Sequence, residues 1–92
     1  MFERLAALIE DRRINPAAGS YTSRLFLMGE DAILKKIGEE AMEVILAAKG
    51  QGNQRLVEEI ADLFYHLLVM LAARGLSLAD IQEELLRRDK TR

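Results

Sequence analysis

Residues 35–66, KKIGEEAMEVILAAKGQGNQRLVEEIADLFYH, decide the fold of this chain. Apolar residues recur at helical spacing on both sides of GQGN, a run of turn-forming residues. The pattern predicts two long antiparallel helices joined by a short turn. We expect the first helix to run from Glu30 to about Lys49. The second is expected to start at Asn53, acting as its N-cap, and to reach about Arg74.

Both helices carry acidic side chains three or four positions apart, which makes them neighbours on the helix surface. The acidic residues are Glu39, Glu40 and Glu43 on the first helix, and Glu58, Glu59 and Asp62 on the second. Two such rows packed side by side would bring carboxylate oxygens together. Oxygen is the ligand that a hard divalent cation such as Mg²⁺ prefers. We therefore predict a metal site between the two helices.

The first long helix, taken alone, also fits a solvent-exposed acidic face. Its apolar stripe centres roughly opposite Glu39 and Glu43, with Glu40 at the edge. The stripe consists of Ile33, Leu34, Ile37, Ala41, Val44, Ile45 and Ala48. This helix by itself does not separate a metal site from a solvated surface.

The second long helix favours the metal site. Glu59, Asp62 and His66 lie within about 60° of arc on it. Its other side carries Leu56, Ile60, Leu63, Phe64, Leu67 and Leu71. Within residues 63–73 only Tyr65 and His66 are polar, so we expect this half of the helix to be buried on most sides. Asp62 and His66 would then border a buried zone, where an uncompensated charge is costly and needs a cation, a basic partner or water.

The structural alternative to a metal is a set of salt bridges to Lys35, Lys36 or Arg55, and we favour the metal. All-carboxylate ligation suits Mg²⁺ or Mn²⁺, whereas zinc would require more histidine or cysteine. A di-iron centre would need Glu-x-x-His on two helices, and the chain has one histidine. His66 alone is interpreted as a hydrogen-bonded structural residue, and Tyr65 as a packing residue.

A carboxylate-bound Mg²⁺ points to hydrolysis of a phosphoanhydride, because the metal neutralises oxygen charge and activates water. An acidic site repels a phosphate substrate, so basic residues should frame it. The candidates are Lys35, Lys36, Lys49, Arg55 and Arg24. Arg74 and Lys90 are expected to be solvated.

The rest of the chain predicts shorter helices and no strand. Residues 2–13 form an amphipathic helix that ends before Pro16. A short helix is capped by Ser20 or Thr22 and stops at Gly29, and Ser77 caps a last helix that reaches about Arg88. We predict one all-α domain over residues 1–92, a compact bundle of four to five helices with the two long antiparallel helices at its centre.

Composition narrows the function classes. Half of the 92 residues are hydrophobic, more than so short a chain is expected to bury alone, so we expect homodimerisation to complete the bundle. The absence of cysteine excludes disulfides and thiol catalysis and suits the cytoplasm. A net charge of −2 argues against nucleic-acid binding. No apolar run approaches the roughly 20 residues that span a membrane. The acids in the first turns of MFERLAALIEDRR are not expected in a signal peptide.

The motifs EExxE and ExxD on consecutive helices resemble those of the all-α NTP pyrophosphohydrolase superfamily (MazG-like). More narrowly, SYTSRLF, ILKKIGEEAMEVILAAK and LVEEIADLFYHLLVMLAARGLSL are similar in order and spacing to segments of the phosphoribosyl-ATP pyrophosphatase family. The similarity covers about residues 20–80. It implies hydrolysis of phosphoribosyl-ATP to phosphoribosyl-AMP and pyrophosphate, the second step of histidine biosynthesis, by a magnesium-dependent helical homodimer. Some relatives also carry a cyclohydrolase domain, which we expect to be absent from these 92 residues.

The resemblance also implies roles for individual residues. The metal ligands would be Glu40, Glu43, Glu59 and Asp62, with Glu39 as either a further ligand or the base that orients water. The substrate-binding residues would be Ser20, Tyr21, Thr22, Arg24, Lys35 and Lys36. Glu58 lies outside the motif and is expected to be a surface residue. The alternatives are a MazG-like pyrophosphatase for another nucleoside triphosphate, and a non-catalytic helical dimerisation module.

Overall fold

The computed structural model describes residues 1–89, which form five α-helices and no strand. The helices are α1 (Phe2–Ile14), α2 (Tyr21–Met28), α3 (Glu30–Gly50), α4 (Asn53–Ala73) and α5 (Leu78–Arg88). The predicted all-α class is confirmed, and the helix bounds agree with the expected ones to within one or two residues. Lys90 lies outside the described residues.

The long helices α3 and α4 form an antiparallel hairpin at the centre of the fold. Ile33 near the start of α3 belongs to the same core cluster as Val69 near the end of α4. Closer to the turn, Glu40 lies beside Glu59 and Asp62. Residue numbers therefore rise along one helix as they fall along the other, as the short turn predicted.

Glycines rather than side-chain caps start the two long helices. Gly29 (φ 97°) ends α2 and precedes α3, and Gly52 (φ 87°) precedes α4. Both lie in the left-handed region, where a side chain would be strained. Asn53, the expected N-cap, is instead the first residue of α4, so that prediction is wrong. The chain reverses through Gly52, and Asn53 already has a helical conformation.

Serines cap the shorter helices. The Ser20 Oγ accepts a hydrogen bond from the Ser23 backbone N–H, 3.1 Å away, at the start of α2. At the start of α5, Ser77 and Asp80 form a capping box, in which the Ser77 N–H donates to the Asp80 carboxylate at 2.8 Å. The expected caps Ser20 and Ser77 are confirmed, and the alternative Thr22 lies inside α2.

Buried Ser23 fixes the loop that leads into α2. Its hydroxyl donates to the backbone carbonyl of Arg12 at 3.2 Å and accepts from the N–H of Ala17 at 3.1 Å. One side chain thus satisfies backbone groups on both sides of Pro16. The N-terminal end of α2 is held at a defined place relative to α1.

The core lies at the end of the hairpin that is remote from its turn. Its buried members come from α1, α2, α3 and α4: Ile9, Leu25, Ile33, Leu68 and Val69. Helix α1 packs on α4, and α2 packs on α1 and α3. This arrangement places the start of α2 beside the middle of the hairpin, where the acidic residues lie.

The apolar side of α4 is less buried than expected. Phe64 and Leu67 are exposed, whereas Glu59, His66 and Val69 on the opposite side are buried. Among residues 63–73 only Phe64, Leu67 and Ala73 are exposed, so the expectation of burial on most sides holds for this half of α4 except along that strip. The side of α4 with Glu59, His66 and Val69 packs within the chain. On the other side, the Phe64 ring contacts that of Phe2 on α1, with 5.8 Å between the ring centres, but remains 45% exposed. On α3, Leu34, Ile45 and Ala48 are likewise exposed.

Candidate metal centre

Three carboxylates from the two long helices meet in one place. An oxygen of Glu40 on α3 and one each from Glu59 and Asp62 on α4 all lie within 4.8 Å of one another. Glu59 and Asp62 are three positions apart and so share one side of α4. The antiparallel hairpin brings Glu40 opposite them. Three of the four predicted metal ligands are therefore together.

Glu59 is the buried member of the group, with 3% of its surface exposed, while Asp62 is exposed. Burial raises the pKa of Glu59, and the negative charges of Glu40, Asp62 and Glu43 raise it further. The Arg55 guanidinium, 2.9 Å from a Glu59 oxygen, lowers it but does not outweigh the other effects. A further positive charge nearby would stabilise the ionised form of a buried carboxylate that is surrounded by other carboxylates.

Glu43 and Glu39 flank the group on α3. Glu43 is half-buried and close enough for its charge to act on Glu59, but it is not one of the three residues whose oxygens converge. Glu39 is exposed and pairs with Lys36, with its oxygen 3.5 Å from Nζ. Exposed Glu58 bonds to Gln54 and Arg55, as expected of a surface residue.

Basic side chains border the group, as the salt-bridge alternative also required. The Lys36 Nζ lies 3.9 Å from a Glu40 oxygen, and Arg55 contacts both Glu58 and Glu59. Within residues 1–89, Asp62 forms no ion pair, so the two cations do not compensate the whole cluster. Lys35 is exposed and also has no ion-pair partner in that part of the chain.

The donor set fits a divalent cation. Mg²⁺ binds oxygen at about 2.1 Å, so oxygens on opposite sides of the ion are roughly 4 Å apart. Oxygens within 4.8 Å of one another reach that spacing with small side-chain movements. The absence of cysteine and the all-oxygen group favour Mg²⁺ or Mn²⁺ over zinc.

The start of α2 lies beside this centre. Burial raises the pKa of the Tyr21 hydroxyl, whereas the nearby positive charge of Lys36 opposes the increase. Burial disfavours the charged form of Lys36, but the nearby Tyr21 hydroxyl and the carboxylates of Glu39 and Glu40 outweigh it and raise the pKa of Lys36. The Arg24 guanidinium lies 5.8 Å from the centre of the Tyr21 ring, within cation–π distance.

Tyr65 and His66 connect α4 to the start of α2, a link that the sequence did not reveal. The Tyr21 hydroxyl is 3.0 Å from His66 Nε2, and the Thr22 hydroxyl contacts the Tyr65 hydroxyl. His66 is buried and hydrogen-bonded, as its interpretation as a hydrogen-bonded residue predicts. Two adjacent polar residues on each helix, YT and YH, are the only sequence signal for this link.

Arg74 forms one further ion pair, to Glu30 at the start of α3. Its side chain is still 62% exposed, in agreement with the expectation that it is solvated. Within residues 1–89, no helix has both the length and the apolar character needed to span a membrane.

Comparison with known proteins gives the family. Residues 2–89 match the sequence profile described as Phosphoribosyl-ATP pyrophosphohydrolase. The Phosphoribosyl-ATP pyrophosphatase of Lactiplantibacillus plantarum is 52% identical over 87 residues, covering 95% of this chain and 82% of that protein. Its namesake from Bacillus cereus is 50% identical over 88 residues, covering 96% and 82%.

A longer relative also matches. The Histidine biosynthesis bifunctional protein HisIE of Caldanaerobacter subterraneus is 48% identical over 90 residues, which are 98% of this chain and 44% of that protein. These matches cover all the residues of the carboxylate group and the start of α2. The chain belongs to the phosphoribosyl-ATP pyrophosphohydrolase family.

Proposed function

We infer that this chain hydrolyses phosphoribosyl-ATP to phosphoribosyl-AMP and pyrophosphate, the second step of histidine biosynthesis. The family and the names of its relatives support the reaction. The convergence of Glu40, Glu59 and Asp62 is the structural observation that carries the proposal, because hydrolysis of a phosphoanhydride requires compensation of phosphate charge.

The proposed cofactor is Mg²⁺, held by Glu40, Glu59 and Asp62, with Glu43 as a fourth ligand. The converging oxygens support the first three ligands. Glu43 is half-buried and its charge acts on Glu59, which supports its placement at the edge of the site. When bound, the metal would neutralise charge on the phosphate oxygens and activate a water molecule.

The protein's own residues would bind and orient the substrate. Lys36 borders the carboxylates and carries a positive charge that its negative neighbours stabilise, so it is suited to a phosphate group. Exposed Lys35 and Arg24 would add positive charge around it. Glu39 is exposed at the edge of the site, where it would serve as a further ligand or orient the attacking water.

The acting species is proposed to be a cytoplasmic homodimer of single-domain chains. Five apolar side chains on α3 and α4 support this proposal, since each is 45% to 61% exposed. They are Met42, Ile45, Leu46, Val57 and Phe64. Phe64 also lines a groove between α1, α4 and α5 in which every lining residue is apolar. A second copy of the chain would cover this surface, because exposed apolar patches of this kind mark association sites.

Pyrophosphate release from a panel of substrates tests the reaction. The panel contains phosphoribosyl-ATP and ordinary nucleoside triphosphates, each with and without Mg²⁺. We expect magnesium-dependent release from phosphoribosyl-ATP alone. Release from an ordinary triphosphate would favour the MazG-like alternative. No release from folded protein on any substrate would favour the non-catalytic dimerisation module.

A further inference from the structure

Buried His66 has hydrogen-bond partners at both ring nitrogens. Nδ1 is 2.8 Å from the backbone carbonyl oxygen of Asp62, and Nε2 is 3.0 Å from the Tyr21 hydroxyl. A carbonyl oxygen only accepts, so Nδ1 carries the hydrogen. In the neutral ring Nε2 is then an acceptor, and the Tyr21 hydroxyl donates to it. One side chain thus spans from the α4 backbone at Asp62 to the first residue of α2.

This connection is one of two side-chain hydrogen bonds that join α2 to α4 within residues 1–89. Helix α2 packs mainly on α1 and α3. Tyr65 and His66 are adjacent on α4 and reach Thr22 and Tyr21, which are adjacent on α2. The ring of His66 also meets the Tyr21 ring edge-on, with 5.9 Å between the ring centres. Hydrogen bonding and ring contact together fix the orientation of Tyr21.

The fixed Tyr21 side chain in turn borders the proposed phosphate-binding residues. Its ring lies 5.8 Å from the Arg24 guanidinium, and the charges of Lys36 and Glu40 act on its hydroxyl. Loss of the hydrogen bond between Tyr21 and His66 would therefore let the start of α2 move relative to the carboxylates. We propose that His66 is a positioning residue, which aligns the substrate-binding start of α2 with the metal ligands on α4. The proposal rests on the proposed function for its effect on substrate binding.

Two substitutions at His66 separate its two hydrogen bonds. In His66→Asn, the amide nitrogen can replace Nδ1 but is too short to reach Tyr21. In His66→Gln, the amide oxygen can replace Nε2 and accept from Tyr21. Tyr21→Phe removes the same bond from the other side. The Thr22–Tyr65 contact remains in all three variants, so α2 keeps this second hydrogen bond to α4.

The kinetic experiment measures KM and kcat for phosphoribosyl-ATP at saturating Mg²⁺. We expect His66→Asn and Tyr21→Phe each to raise KM roughly two- to tenfold, the effect of one hydrogen bond, with kcat changed by less than about twofold. The double variant should be no worse than the poorer single variant, because both changes remove one interaction. His66→Gln should restore KM to near the original value.

Val69→Ala is the matched structural control. Val69 is three positions after His66, fully buried, and outside the proposed binding machinery. Its substitution should lower the melting temperature and leave KM unchanged. Unaltered KM in both His66→Asn and Tyr21→Phe would overturn the proposal. An equal rise of KM in Val69→Ala would also overturn it, since the effect would then reflect stability alone.

Hydrogen exchange tests the positioning role without substrate. The backbone amides of residues 23 and 24, in the first turn of α2, should exchange faster in His66→Asn and Tyr21→Phe than in the unmodified chain or His66→Gln. Unchanged exchange in both variants would overturn the proposal. If the unmodified chain does not hydrolyse phosphoribosyl-ATP, the proposed function fails, and the exchange result still decides whether His66 positions α2.

Discussion

Replacing Asp62 with asparagine separates metal binding from folding. Asp62 is exposed and forms no ion pair within residues 1–89, so its charge contributes little to the fold without metal. A surface substitution of this kind changes the free energy of unfolding by roughly 0.5 kcal/mol or less. Asparagine keeps the size of the side chain but removes one of the three converging carboxylates.

The expected magnitude follows from binding linkage. At a Mg²⁺ concentration about 100 times Kd, binding adds about 2.7 kcal/mol to the free energy of unfolding. One kcal/mol shifts the melting temperature of a domain this small by about 4–8 °C, so the unmodified chain should gain about 10–20 °C. If loss of one ligand weakens binding about a hundredfold, the gain at the same Mg²⁺ concentration falls to about 2–3 °C.

The assay is thermal unfolding followed by circular dichroism, at a fixed protein concentration and over a Mg²⁺ titration. Glu58→Gln is the matched control, because Glu58 is an exposed acid one turn before Asp62 and lies outside the converging group. We expect the control to retain the magnesium-dependent gain and Asp62→Asn to lose it. A full gain in Asp62→Asn, or its loss in Glu58→Gln, would refute the assignment of the metal site.

Three further predictions concern the dimer, the buried carboxylate and the start of α2. Phe64→Glu should convert the dimer to monomer in light scattering, and a persisting dimer would exclude this surface as the interface. Without metal, Glu59→Gln should raise stability to denaturant at pH 7. Because the folded-state pKa of Glu59 lies above its usual value, its ionisation destabilises the fold as pH rises, and the gain should vanish near pH 4.5. Ser20→Ala should cost about 1 kcal/mol of stability through loss of its N-cap bond, whereas Ser20→Gly should cost a few tenths; equal costs would contradict the capping role.

Helical periodicity was sufficient to predict the five helices and the pairing of the two acidic rows. Glu40, at the edge of the apolar stripe of α3, is the acidic residue of that helix that reaches Glu59 and Asp62. Glu43, more nearly opposite the stripe, lies at the side of the group. The motif predicts both glutamates as metal ligands, and their angular positions on α3 explain why Glu40 is the one that converges with Glu59 and Asp62.

The buried side of α4 could not be predicted from its pattern. Phe64 and Leu67 are the more apolar choice for a core, yet they are exposed, and Glu59 and His66 are buried. The pattern records which residues avoid water but not whether the partner surface belongs to the same chain. A surface proposed to meet a second copy has the same composition as a core surface.

The hydrogen bond between Tyr21 and His66 also could not be predicted from the sequence. Forty-five residues separate the two side chains, and no local spacing relates them. Their meeting depends on Ser23, which holds the loop before α2, and on the packing of α2 against α1 and α3. Tertiary packing, not local helix propensity, therefore places Tyr21 and His66 next to the carboxylates.

The most direct test of the central claim is pyrophosphate release from phosphoribosyl-ATP by the unmodified chain and by Asp62→Ala, each with and without Mg²⁺. We predict rapid release only from the unmodified chain with Mg²⁺, while both proteins give the same helical circular-dichroism spectrum. Near-normal release by Asp62→Ala, or undiminished release by the unmodified chain after removal of Mg²⁺ with a chelator, would contradict a magnesium-dependent reaction at this carboxylate group.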